Sequence, residues 1–187
     1  MSNQKLEFLY QSIADTQATI RAIDVKIGFL FIVAFIPLAG LEKIISTFQI
    51  LRDVSIIYLI VMLLTSFIWI VSIYALFKSL SSISNPAKHI EGNIPAGMFY
   101  SGSIYSFKKI DNFFNFPIMS NDTIEDFKRK LPNDENAIVE ELIFEKMKLS
   151  YIRDVKIMRS SLSIRFSFYW IILGSLLWLF SILKVGY

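Results

Sequence analysis

Residues 56–77 read IIYLIVMLLTSFIWIVSIYALF, 22 positions without a charge. The hydrocarbon core of a bilayer is about 30 Å thick and takes about 20 apolar helical residues to cross. A helix of this length in a water-soluble core keeps a polar face, and this one has none. Two further apolar stretches, at 27–41 and 166–183, share the character. Together they commit the chain to an all-α membrane protein with three transmembrane helices and the lipid bilayer as its first partner.

The rest of the composition narrows the function by exclusion. Hydrophobic residues make up 54% and the mean hydropathy is +0.52, above the apolar share of about 45–50% usual in soluble domains. A net charge of +3 is too mild for the dense basic face that binds nucleic acid directly. The chain has no cysteine, so disulfides, thiolate nucleophiles and cysteine metal sites are out. It has no phosphate-cradling glycine loop, no HExxH and no GxSxG, each of which carries a specific chemistry. The expectation is a non-enzyme with no catalytic, cofactor or metal residues. The one histidine, His89, falls in a polar loop and reads as solvated. The opening 26 residues mix acids with bases ahead of the apolar run, unlike a signal peptide.

Each span has its own features. The first is assigned 27–48: fifteen apolar residues cover only about 22 Å, so the helix is extended past Glu42 and Lys43, which reach toward headgroups. Pro37 within it lacks a donor and favours a kink. The second is assigned 55–78. The third, 166–184, carries Tyr169, Trp170 and Trp178 near its ends, as an aromatic belt does, and Gly174 and Ser175 in its middle. Lys5, Arg21, Lys26, Lys78, Lys88, Arg153, Lys156, Arg159 and Arg165 flank one side of the spans, against Lys43, Arg52 and Lys184 on the other. The positive-inside rule therefore puts the N-terminus and 79–165 in the cytoplasm, and the turn near 49–54 and the C-terminus outside.

Outside the spans, two long helices are expected to form a cytoplasmic stalk. In 1–26, Leu6, Leu9, Ile13, Thr16, Ile20 and Ile23 alternate at steps of three and four, a heptad seam. Leu6, Leu9, Ile13, Ile20 and Ile23 suit association of copies into a homo-oligomer or packing on another helix of the same chain. The second helix, 133–165, starts behind the caps Asn133 and Asp134. One of its faces carries Phe144, Tyr151, Val155, Met158, Leu162 and Phe166; another carries Ile138, Leu142, Leu149 and Ile152. Its acids Glu135, Glu140, Glu141 and Glu145 lie near the helix start, where the dipole favours them. Between the two helices, 79–132 is a small irregular insertion. Asp122 with Glu125 suggests a capping box for a short helix that stops at Pro132. Phe99, Tyr100, Tyr105 and Phe107, with Lys108 and Lys109, form the candidate ligand or partner surface: rings that stack a base and ammonium groups that meet a phosphate, or else rings closing a small core.

Asp24 lies three residues before the first span, near headgroup level. A carboxylate there is costly without a partner. Lys156 and Arg159, shortly before the third span, are the natural candidates, and either pair would set the register of two helices.

The order of parts resembles the transmembrane effector family of bacterial Pycsar anti-phage systems. The resemblance rests on ADTQATIRAIDVKIGFLF with Asp24 and Lys26, the second span, Pro86, GMFYSGSIYSF at 97–107, and LIFEKMKLSYIRDVKIMRSSLSI with Lys156. It implies an effector that damages the bacterial inner membrane once infection is signalled by a cyclic nucleotide. No phosphate-binding cassette is found in this chain, so a cytoplasmic partner protein is the alternative trigger. Two other readings stand beside it: a membrane-anchored scaffold that recruits a cytoplasmic partner, and a small channel or transporter subunit. The expected topology has a direct check. A cysteine at position 52 should react with an impermeant thiol reagent outside intact cells and one at 121 should not; the reverse labelling would invert the topology.

Overall fold

The computed structural model describes residues 2–83, 85–92, 95 and 120–185. Among them every regular element is helical: α1 (Ser2–Ala39), α2 (Leu41–Val54), α3 (Ile56–Leu80), a 3-10 turn (Pro86–His89), α4 (Ile124–Lys130) and α5 (Glu135–Val185). The protein is all-α, and α1, α3 and α5 are long and apolar enough to cross a membrane. The chain divides into two units, Met1–Ala18 with Asn85–Ile152, and Thr19–Ser84 with Arg153–Tyr187. The spans belong to the second.

In the second unit, Ile27, Ala34 and Leu76 form one buried cluster, with Ile23, Leu30, Phe31 and Ile73 against it. Leu51, Met62 and Leu177 form another, with Phe48, Tyr58 and Val61. Outward, large side chains such as Phe29, Ile32, Ile60, Phe67 and Trp178 are exposed. Exposed apolar surface on this scale would be a liability in water; on helices long enough to span it is the face that meets lipid.

The first span differs from its sequence assignment. Instead of one helix over 27–48, α1 ends at Ala39 and a separate helix, α2, begins at Leu41. Pro37 cannot donate to the carbonyl four residues back. The Gly40 N–H closes the turn onto the Pro37 carbonyl at 3.1 Å, and Gly40 then stands at the N-terminal end of α2. The expected turn at 49–54 is helical as well. The reversal into α3 is made at Ser55 alone, an extended residue whose hydroxyl accepts from the Ile57 N–H at 3.3 Å.

In the first unit, Ile13, Leu142, Phe144 and Leu149 are buried. The Lys146 ammonium donates to the Ser12 carbonyl at 3.0 Å and to the Thr16 hydroxyl, tying α5 to the N-terminal helix. Asp134 caps α5, its carboxylate accepting from the Ala137 N–H at 2.8 Å. The short helix α4 starts one residue later than the sequence suggested. Thr123 is the cap: its hydroxyl accepts from the Asp126 N–H at 3.1 Å, and the Asp126 carboxylate accepts from the Thr123 N–H and hydroxyl. Asp122 is left free to pair with Lys130 at 2.6 Å across the helix.

The capping box holds Asp126 ionised. The Thr123 hydroxyl first, and its backbone N–H second, lower the carboxyl below the ordinary aspartate value of 3.8. A depressed folded-state pKa adds stability that is whole above the unfolded value and is lost as pH falls through the folded one. Thr123→Ala should therefore speed amide exchange at Phe127 at neutral pH. The difference from wild type should close as the solution is taken below the lowered Asp126 value.

Candidate functional site

The candidate site is the contact face of α1, α3 and α5 in the second unit, where polar side chains are buried among apolar helices. On α5 the buried positions are Lys156, Ser160, Ser163, Ser167, Leu177 and Ser181, the first four separated by steps of three or four. On α3 they are Met62, Thr65, Ser72, Ala75, Leu76 and Ser79. Small residues let helix backbones approach, and in lipid that packing replaces the hydrophobic effect as the adhesive.

The hydroxyls meet in register. Ser72 and Ser167 are hydrogen-bonded at 2.8 Å, and Ser79 and Ser163 at 2.9 Å. Two of the four have a second partner in backbone: Ser79 donates to the Ala75 carbonyl and Ser163 to the Arg159 carbonyl in their own helices, so hydroxyl rotation decides which bond carries the proton. On the other side of α3, the Trp69 indole donates to the Ala34 carbonyl of α1 at 2.8 Å, next to the carbonyl that Pro37 leaves without its usual donor. Phe31 packs edge-on against Phe77, with centroids 4.7 Å apart.

One end of this polar face is closed by charge. The Lys156 ammonium contacts the Asp24 carboxylate directly, joining α5 to α1. The two differ in setting: the Lys156 side chain is 10% exposed and that of Asp24 39%. Removing the carboxylate would strand a desolvated ammonium, whereas a stranded Asp24 would still reach water. Of the two candidate partners for Asp24, Lys156 is the one brought to it. Arg159 turns instead to the end of α3 and donates to the Lys78 carbonyl at 3.1 Å, a cation at a helix C-terminus, where the dipole favours it. Lys78 itself lies 5.9 Å from the Tyr74 ring centre.

The heptad seam divides between the units. In the first, Leu6 and Leu9 are half-buried and Ile13 and Thr16 buried within the single chain. In the second, Ile20 is half-buried and Ile23 packs on the Ile27 cluster. Each of these stripe positions is thus buried or half-buried within the single chain. Phe99, Tyr100, Tyr105, Phe107, Lys108 and Lys109 lie outside the described residues.

Several features were not foreseen. Met158 and Leu162, assigned to an apolar packing face, are exposed, and the neighbouring serines are buried in their place. The available signal was the spacing of Ser160, Ser163, Ser167, Gly174 and Ser181 at three and four residues or their sum. Glu141 and Glu145, read as acids favoured by the dipole at a helix start, are buried in the first unit, with Lys148 at 2.5 Å from Glu145 and 4.9 Å from the Phe144 ring centre. His89 stacks on Tyr151 at 4.6 Å and 15°. No group of metal-ligating side chains forms among the described residues.

If close packing through hydroxyls holds the spans together, greater hydrophobicity at the seam should weaken the fold. Ser167→Leu should lower stability by about 1–3 kcal/mol through overpacking. Ser72→Ala should cost about 0.6–2 kcal/mol, the range for one interhelical hydrogen bond in a membrane. Leu176→Ala, on the exposed side of α5, should cost less than Ser167→Leu. Thermal unfolding in detergent micelles reads all three.

No protein-family model matches the chain, and no curated protein or solved structure matches it either.

Proposed function

We propose that this protein is a bacterial anti-phage effector of the cytoplasmic membrane. It acts as a homo-oligomer that permeabilises the bilayer when infection is signalled by a cyclic nucleotide or a cytoplasmic partner. The N-terminus and residues 79–165 lie in the cytoplasm and the C-terminus outside. The observation that carries the reading is the Asp24–Lys156 pair. It links α1 to α5 beside the cytoplasmic ends of the spans, the Lys156 side chain is nine-tenths buried, and behind it lies a face of paired hydroxyls. A device that keeps membrane helices closed until triggered needs such a contact: strong enough to hold a register, and polar enough to be exchanged for water or a charged partner.

The magnitudes suit a latch. Breaking a fully buried ion pair by removing one partner costs about 3–5 kcal/mol. That is the cost of stranding one charge; the exposure of Asp24 reduces it to about 1–3 kcal/mol, and an opening that hydrates both charges costs less again, because desolvation offsets much of the attraction. That gap can be overcome by a signal of modest binding energy.

The test is charge exchange. Asp24→Lys sets two ammonium groups against each other; cells expressing it should lose membrane potential without phage, or lose protection against phage. Asp24→Lys with Lys156→Asp should restore wild-type behaviour in both assays, and Arg159→Asp in place of Lys156→Asp should not. A potential-sensitive dye with phage plaque counts reads the outcome. Protection that persists while the membrane stays polarised throughout infection would favour a membrane-anchored scaffold over a permeabilising effector.

A further inference from the structure

The three spans of the second unit can be aligned by their own contacts. At the end marked by Lys26, Lys78 and Arg165, Ile27 packs on Leu76 and Ser163 bonds Ser79. These basic residues therefore lie at one level, the near headgroup plane. At the other end, Tyr58 meets Phe180 with ring centroids 6.2 Å apart. Ser55, at the start of α3, and Lys184, the first charge after the third apolar run, thus mark the far plane. From Arg165 to Lys184 is 19 residues of helix, about 28 Å, a bilayer core's thickness.

The first span does not reach that far plane. Its apolar part, 27–39, has 13 residues and covers about 20 Å. The Trp69–Ala34 hydrogen bond gives a second measure. From Ala34, α1 has five residues left before it ends at Ala39, about 8 Å; from Trp69, α3 has thirteen before Ile56, about 20 Å. By either measure Gly40 stops about 10 Å short of the far plane. The chain makes up the difference through α2, which begins at that depth and rises to Ser55, its Leu51 held by Met62 and Leu177.

Charges accompany α2 into this depth. Glu42 and Lys43 stand in its first turn, both exposed, and neither has an ion-pair partner among the described residues. On the helical wheel Glu42, Ser46, Gln49 and Asp53 share one side, opposite the side that carries Phe48 and Leu51 inward. Leu41, Ile44 and Ile45, on the same side as Phe48 and Leu51, form an exposed flank at the start of the helix, at 47%, 43% and 56%. The flank suits acyl chains and the polar side does not. A bare carboxylate and ammonium in hydrocarbon are costly, and a span shorter than the bilayer is accommodated by thinning the membrane around it.

We propose that α2 is an oblique helix inside the far leaflet that thins the bilayer locally, drawing phospholipid headgroups and water down about 10 Å to Glu42 and Lys43. Lys43 meets lipid phosphate and Glu42 is hydrated, while Leu41, Ile44 and Ile45 enter the displaced acyl layer. The occupant of this face is lipid headgroup, not a second protein. The inference rests on the reading that the spans lie in a bilayer, and it supplies that reading with a place where the membrane is already weakened.

The absence of cysteine allows single spin labels in the full chain, in vesicles of phosphatidylcholine and phosphatidylglycerol. Labels at Glu42→Cys and Ser46→Cys are compared with labels at Leu63→Cys and Leu64→Cys, which sit at the depth of the α1 end on the exposed side of α3. Collisions with dissolved oxygen report hydrocarbon; collisions with a water-soluble nickel chelate report water. The expected result is nickel access at 42 and 46 with oxygen access at 63 and 64. Glu42→Leu with Lys43→Leu should then shift the label at 46 from nickel to oxygen as the leaflet thickens. Oxygen access at 42 in the otherwise unchanged chain would overturn the thinning, and protection from both reagents would show that protein covers α2. Nickel access at 63 and 64 as well would overturn the membrane placement of the spans together with the inference. None of these readouts depends on leakage, so the permeabilising function can fail while the thinning stands.

Discussion

Everything in the membrane-spanning unit depends on close approach of helices that have no hydrophobic reason to associate. Lipid tails are as apolar as leucine, so burying leucine against leucine gains little in a bilayer. What remains is packing and hydrogen bonding at short range. The chain meets that constraint by turning its smallest and most polar side chains inward. Ser72 finds Ser167, Ser79 finds Ser163, and the Trp69 indole finds the Ala34 carbonyl. Phe67, Ile60 and Trp178 face out.

The same constraint explains where charge is tolerated. Lys156 lies on the buried stripe of α5 one turn before the first serine, at a position whose neighbours are small enough to let α1 bring Asp24 to it. A salt bridge so placed contributes less to stability than to register, because its desolvation cost offsets much of the attraction. Register matters here: a slip by one helical turn would separate both serine pairs and move the indole off its acceptor. Arg159, one turn further along, takes the end of α3, so two cations on one helix fix two different neighbours.

At the other end of the unit, order is imposed by a break. Pro37 and Gly40 end the first span early, and α2 occupies the space left in the far leaflet. Leu51, Met62 and Leu177 secure it from within, while its outer sector and charges face the surroundings. The unit thus has one end tied by an ion pair and hydroxyls, and another where a separate short helix is held at Leu51.

Sequence alone determined that the chain is helical and membrane-spanning, because length and hydropathy are local properties: 22 uncharged residues at 56–77 leave no other economical structure. It also determined where α5 begins, since Asp134 serves its own next turn, and it nominated Lys156 and Arg159 for Asp24, since an interfacial carboxylate demands a cation. Which of the two is taken was decided by tertiary structure, since the answer depends on the rotation of α5 about its axis. The face α5 buries was decided in the same way. Met158 and Leu162 look like core by periodicity, but the smaller serines beside them, Ser160 and Ser163, are the residues α5 buries. The end of the first span was misjudged because hydropathy ran smoothly through Gly40, while the missing donor of Pro37 and the return of the chain into α3 closed the helix there. Periodicity alone reports that a stripe exists; only the packed helices determine which stripe is inside.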